Sequence, residues 1–181
     1  MPSFMPLSQV IQVEKNLQGI HRQVLDMPLV EYMVLRTAII LGRDLNARLD
    51  RLLKPAGLAE GEYRVLMALF SCGGSAFAGE LCQALAQSPA NLTRVCDTLV
   101  KRKWVSRSLD ATDRRKIRLS LLPSGEKLLR SLLPRISTNV AAVFDGFKVA
   151  ERKRLLADLK RLLAGIDLLN TEDQPLRRKK T

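Results

Sequence analysis

The sequence predicts a mainly α protein with one small β-hairpin. Three observations carry that fold class. Apolar residues recur at spacings of three and four along most of the 181 residues, and Leu dominates while aromatics make up only 4%, a balance that favours helix over sheet. The period changes to alternation once, across Trp104, Val105, Arg107 and Leu109 and again across Ile117, Leu119 and Leu121, as paired strands require. Charge is concentrated at that point. Residues 94–118 hold nine basic and three acidic side chains, half of the net +12, whereas residues 1–93 are neutral in sum.

Residues 8–25 read as an amphipathic helix with Val10, Val13, Leu17, Ile20 and Val24 on one face, closed by Met27-Pro28. Residues 29–53 read as a long helix, apolar nearly all round in its first half and ended by Lys54-Pro55-Ala56-Gly57. Residues 60–72 form a third helix, stopped by Gly73-Gly74. Residues 78–86 form a short fourth, with Leu81 and Leu85 inward. Ser88 and Pro89 then start a fifth, because Ser caps and Pro suits the first helical position. Its apolar stripe is Leu92, Val95, Cys96, Leu99 and Val100, opposite Asn91, Arg94, Thr98, Lys101 and Arg102. The hairpin turn, residues 110–115, is too charged to bury. A helix from Pro123 toward Phe147, with Pro134 as a kink point, and another from Lys148 to Leu169 complete the chain.

The hydrophobic content of 46% fills a core, and no apolar run approaches the ~18 residues needed to span a bilayer. Three cysteines without an export signal lead us to expect a reducing cytoplasm. The sole histidine, His21, forms no triad, and Cys72, Cys82 and Cys96 lack metal-ligand spacing. An enzyme, a metal centre and a cofactor are therefore not expected.

A helix, a tight turn, a basic helix and a basic hairpin make the layout of a winged helix-turn-helix. The two C-terminal helices and the N-terminal arm carry more apolar surface than so small a domain covers, which argues for a homodimer. The expected organisation is an arm helix for dimerisation at 1–28, a long helix shared by core and interface at 29–57, the DNA-binding domain at 58–122, dimerisation helices at 123–170, and a disordered basic tail at 171–181.

The ordered set EL, TRVCDTLVKRKWVSR, DATDRR and LLPSG resembles the MarR family of bacterial repressors, and RKWVSR with the N-terminal extension resembles its multidrug-efflux members more narrowly. The resemblance covers about residues 8–170. It implies a ligand-responsive repressor bound to double-stranded DNA at a pseudo-palindromic operator. Three departures stand out: Lys103 where the family usually has Gly, Thr112 where it often has Arg, and Leu121-Leu122 where it usually has Leu-Thr. Thr would cap the next helix and Leu122 cannot, so either Ser124 takes over or the helix starts frayed.

Asn91, Thr93 and Arg94 lie near the end of the recognition helix that enters the major groove in helix-turn-helix proteins. Arg suits guanine and Asn adenine, while Ser88 and the free N–H groups behind it suit a phosphate. Lys101, Arg102 and Lys103, further from base edges, are expected to meet the DNA backbone, and Thr98 and, in the first strand, Arg107 complete the DNA-binding set. The resemblance implies that a wing arginine, Arg114 or Arg115, enters the minor groove. Asp113 holds a neighbouring arginine in place. It also implies an effector pocket, with Met33, Arg36, Thr37, Ile40, Tyr63, Met67 and Phe70 as candidates by position. An aromatic acid or phenol would set its ring on Met and Phe and its acid on Arg36. Two other readings compete. One is a redox-responsive regulator using Cys72, which sits beside two glycines; the other is a dimeric interaction module without DNA, which leaves the charge at 94–118 unexplained.

Overall fold

The computed structural model describes residues 5–110 and 112–172. Seven α-helices and a three-stranded sheet follow one another in the order α1 Pro6–His21, α2 Leu29–Leu53, α3 Glu60–Ser71, β1 Ser75–Phe77, α4 Ala78–Ala84, α5 Pro89–Lys101, β2 Val105–Leu109, β3 Ile117–Leu121, α6 Pro123–Val143 and α7 Val149–Glu172. The contacts divide the chain into two units, after Ile136.

In the first unit α1 packs along α2, and Arg43 donates to Gln9 across them. α1 begins earlier than its apolar pattern, at Pro6, and stops at His21 rather than at Leu25. Gln23 and Val24 both donate to the Ile20 carbonyl, and Met27 donates to Val24. The chain thus winds into a turn before Pro28, whose ring disfavours helical backbone at Met27. α2 ends in a single 3₁₀ turn capped by Gly57 at φ 63°, and Leu58 donates back to Leu53.

The winged core fills with Leu53, Val65, Leu66, Leu69, Leu81, Leu99, Val105, Leu119 and Leu129, all at most 1% exposed. α3 supplies its centre. Gly73 and Gly74, both at positive φ, end that helix and feed β1. β1 is an element the sequence pattern does not announce, because three residues are too few to show a period of two. It pairs antiparallel with β3, which pairs antiparallel with β2, in the order β1-β3-β2. Ser75 faces Ser120, and Val105 faces Leu121.

Ser88 caps α5 by accepting from the Asn91 N–H at 3.3 Å. The helix leaves through Lys103 at φ 56°, the position where Gly is usual and where an L-residue is strained. The start of α6 closes over this exit. The Leu122 N–H donates to the Trp104 carbonyl, the Ser124 hydroxyl donates to the Lys103 carbonyl, and a side chain on Gly125 would overlap the Trp104 carbonyl oxygen. Ser124 therefore does not take over the cap of α6: its hydroxyl holds the α5 exit instead. Leu129 and Ile136 bury against the winged core, so the first part of α6 belongs with it.

In the second unit α6 ends at Val143, short of Phe147. Gly146 at φ 87° turns the chain, and Arg152 donates to the Phe144 and Phe147 carbonyls beyond the helix end. Glu151 accepts from the Lys148 N–H to start α7. Pro134 lies inside α6 without ending it. Every residue of α7 whose side chain is described is exposed. The basic tail, apart from Thr171 and Glu172 at the end of α7, lies outside the described residues. Among those described, no helix is long and apolar enough to cross a membrane.

Candidate DNA interface

α5 buries Leu92, Val95, Cys96 and Leu99 and so turns its polar face outward. Thr93 and Arg94 are exposed on that face and Asn91 is half-buried. Arg94 donates to the Asn91 side-chain oxygen at 3.0 Å, so the two form a pre-set pair; neither Asp97 nor Asp113 neutralises Arg94. The Thr93 and Thr98 hydroxyls donate to the carbonyls of Pro89 and Arg94, one turn back. Lys101 is exposed at the last turn. Arg107 is engaged: it pairs with Asp97 at 2.9 Å and ties β2 to the recognition helix.

The wing is organised by the first residue of its turn, Asp110. Its carboxylate accepts from the Thr112 N–H and hydroxyl, from the Asp113 N–H and, at 2.9 Å, from Arg118. These bonds hold its pKa far below the usual carboxylate range. Because the shift is downward, the stabilisation is present through neutral pH and fades only below the ordinary carboxylate pKa. Arg118 lies 4.3 Å over the Phe77 ring, at the end of β1, and Lys116 lies 5.6 Å from it. The Asp-x-Thr turn is a legible signal; Phe77, 41 residues from Arg118, is not. Asp113 accepts from the Arg115 backbone and from its Nε at 3.3 Å. Arg115 is nevertheless 92% exposed, and Arg114 is exposed beside it.

Arg102 stands apart from its basic neighbours. It donates to the Gly57 carbonyl, pairs with the buried Glu62 at 3.9 Å and stacks 5.0 Å from Trp104. It locks α5 to α3 and to the end of α2.

The proposed effector residues lie on α2 and α3. Ile40 is buried, Met33 and Thr37 are half-buried, and Arg36 is exposed, all on α2. Phe70 lies under the guanidinium of Arg130 at 5.1 Å. Tyr63 and Met67 line a groove together with Leu85 at the end of α4. The cysteines differ sharply. Cys96 is 1% exposed and burial pushes its thiol up to about 11, Cys82 is half-buried, and Cys72 is exposed. Among the described residues, no group of three or more His, Cys, Asp or Glu could hold a metal ion.

With this geometry in place, known proteins can be compared. The MarR family model matches residues 56–116. The uncharacterized HTH-type transcriptional regulator YpoP of Bacillus subtilis is 30% identical over 61% of this chain and 74% of its own. The chain belongs to the MarR family. The transcriptional repressor MprA of Escherichia coli is 26% identical over 94% of both chains. Among solved structures, a mutant of Escherichia coli MarR complexed with operator DNA superposes with a TM-score of 0.67 at 21% identity, over 76% of this chain and 99% of that one. Bordetella bronchiseptica BpsR, described for regulation of its DNA binding by 6-hydroxynicotinic acid, gives 0.56 at 26% identity, over 67% and 95%. The winged helix-turn-helix of this MarR-family chain is thus complete, with its capped recognition helix and its three-stranded wing.

Proposed function

We propose that this chain is a dimeric transcriptional repressor that reads a pseudo-palindromic operator and is released by a small aromatic or phenolic ligand. The observation that carries the reading is the pairing of a recognition helix whose polar face is outward with a wing whose arginines are held outward. Asn91 and Arg94 read base edges. Ser88, Thr93, Thr98 and Lys101 meet phosphates around them. Arg114 or Arg115 enters the minor groove, where a narrow A·T-rich site has enhanced negative potential. Arg107 contributes mainly by keeping β2 on α5, since Asp97 already neutralises it.

Dimerisation is supported by α7, on which nine large apolar side chains are at least 38% exposed. A monomer leaves such a surface to water at a large cost, and a two-fold partner offers the same surface in return. Ligand control is supported by the BpsR relative, described for regulation of its DNA binding by 6-hydroxynicotinic acid. A ligand acts only through unequal affinity for the two geometries of the dimer. The reading is a regulator and not an enzyme, working in the cytoplasm where the DNA is.

The test is fluorescence anisotropy of the full chain on a duplex from upstream of its own gene, beside a scrambled duplex, across a salt series. Selective binding that survives at higher salt supports the reading. Equal binding to both duplexes, lost as salt rises, reduces the basic stretch to a non-specific electrostatic surface.

A further inference from the structure

We propose that Arg102 positions the recognition helix for base readout and is not itself a DNA contact. The inference rests on the DNA-binding reading above and replaces the backbone-contact role expected of Arg102 beside Lys101 and Lys103. Three groups from three parts of the chain meet its guanidinium. The Gly57 carbonyl, in the turn that ends α2, accepts from its Nη1. The Glu62 carboxylate, in the first turn of α3, lies 3.9 Å from the same nitrogen. The Trp104 ring, just before β2, lies under its plane at 5.0 Å. Arg suits this place because its planar fork donates at the edges while its face stacks, which Lys cannot do. Glu62 is fixed in turn: its side chain is only 10% exposed and accepts from the Ala59 N–H at 3.0 Å. Lys101 and Lys103 are exposed on either side. A guanidinium neutralised by Glu62 and held on three sides has little left to offer a phosphate.

The place of this clamp decides what it does. Arg102 is the cap residue at the end of α5, and its N–H donates to the Thr98 and Val100 carbonyls. Asn91 and Arg94 sit toward the other end of the helix. The 13 residues of α5 make a rod of about 20 Å. On that length a tilt of about 5° at the clamped end moves the opposite end by about 2 Å, more than a hydrogen bond to a base edge tolerates. Phosphates are less demanding, because charge attraction falls off slowly with distance. Loosening the clamp therefore costs base readout and spares the electrostatic part of binding.

The test compares the wild type, Arg102→Lys and Glu62→Gln by fluorescence anisotropy. The target is a duplex that the wild type selects from a randomised pool, beside a scrambled duplex, over a salt series. Arg102→Lys keeps the charge a phosphate needs and loses the fork. Glu62→Gln keeps an acceptor for the Ala59 N–H and loses the charge that holds Arg102. Positioning predicts that each variant lowers the ratio of selected to scrambled affinity about tenfold, the size of one impaired base contact, with the salt slope unchanged. A phosphate contact predicts the opposite: Arg102→Lys binds as the wild type does, and Glu62→Gln, with Arg102 freed, binds both duplexes more tightly. That result overturns the proposal. So does an unchanged ratio with a lower thermal transition, which would make the clamp a matter of stability alone. The thermal transitions also establish that each variant is folded at the assay temperature. A wild type that selects no duplex overturns the repressor reading and this inference with it, whereas a selected duplex bound equally well by all three chains overturns the positioning role alone.

Discussion

α5 and α7 carry the same sequence pattern and meet opposite fates. Each has apolar residues at spacings of three and four. On α5 the stripe of Leu92, Val95, Cys96 and Leu99 is at most 6% exposed, covered by the rest of its own chain. On α7 the stripe of Leu155, Leu159, Leu162 and Ile166 is 38–46% exposed. Hydrophobic periodicity states that a face must be covered but is silent on whether the cover comes from the same chain. The largest expected effect tests the second half of that statement. Leu159→Lys with Leu162→Lys should turn a dimer into a monomer by light scattering while leaving helix content unchanged. Operator affinity should fall more than ~100-fold, because the second half-site is no longer bound at high effective concentration. A double variant that stays dimeric would show that α7 is not the seam.

The same truncation logic on α5 should read out as unfolding. Leu99 is fully buried, and Leu99→Ala should cost about 3 kcal/mol, by the transfer of its side chain and the cavity left behind. Urea unfolding measures this. Loss of dimer without loss of core stability would erase the contrast between the two helices.

The contrast recurs among the basic residues of the wing region. Arg102 and Arg107 are fixed by Glu62 and Asp97, whereas Arg115 stands almost wholly in solvent beside Asp113. Arg115→Ala should weaken operator binding about tenfold and lower the salt slope by about one, the signature of one lost phosphate-region contact. Arg107→Ala should change the slope less. An unchanged affinity at fixed salt for Arg115→Ala would remove that residue from the interface.

Legibility divides along the same line. Ser88 with Pro89, the Gly57 stop and the Gly73-Gly74 stop are local signals, and the helices they bound form where the pattern puts them. The stripe of α5 is equally local. What the sequence hides is set by contacts between distant residues. β1 exists because β3 pairs with it across more than 40 residues. Phe77 matters because Arg118 lies over it, and Arg102 because Gly57 presents a carbonyl to it. The end of α1 departs from its pattern for a related reason. Apolar residues continue through Ile20, Val24 and Leu25, but the approach to Pro28 imposes a turn before the pattern runs out.

Lys103 is the smallest effect and the sharpest, because it asks whether a departure from the family pattern is stored as strain. Its φ of 56° is a conformation that costs an L-residue roughly 1–2 kcal/mol. The Ser124 hydroxyl and the Leu122 N–H hold this exit from outside, on the Lys103 and Trp104 carbonyls. Replacing Lys by Gly removes the strain but gives the unfolded chain more freedom, worth about 0.5–1 kcal/mol in the other direction. The balance should be a stabilisation of about 0.5–1 kcal/mol, or ~1–4 °C in Tm. Lys103→Ala is the decisive partner: it removes the same ammonium and keeps the strained φ, so it should leave Tm unchanged. A rise in both variants would assign the effect to the charge of Lys103 among its basic neighbours. A rise in Gly alone would assign it to the backbone, and would mean that α6 holds the recognition-helix exit in a shape its own residue resists.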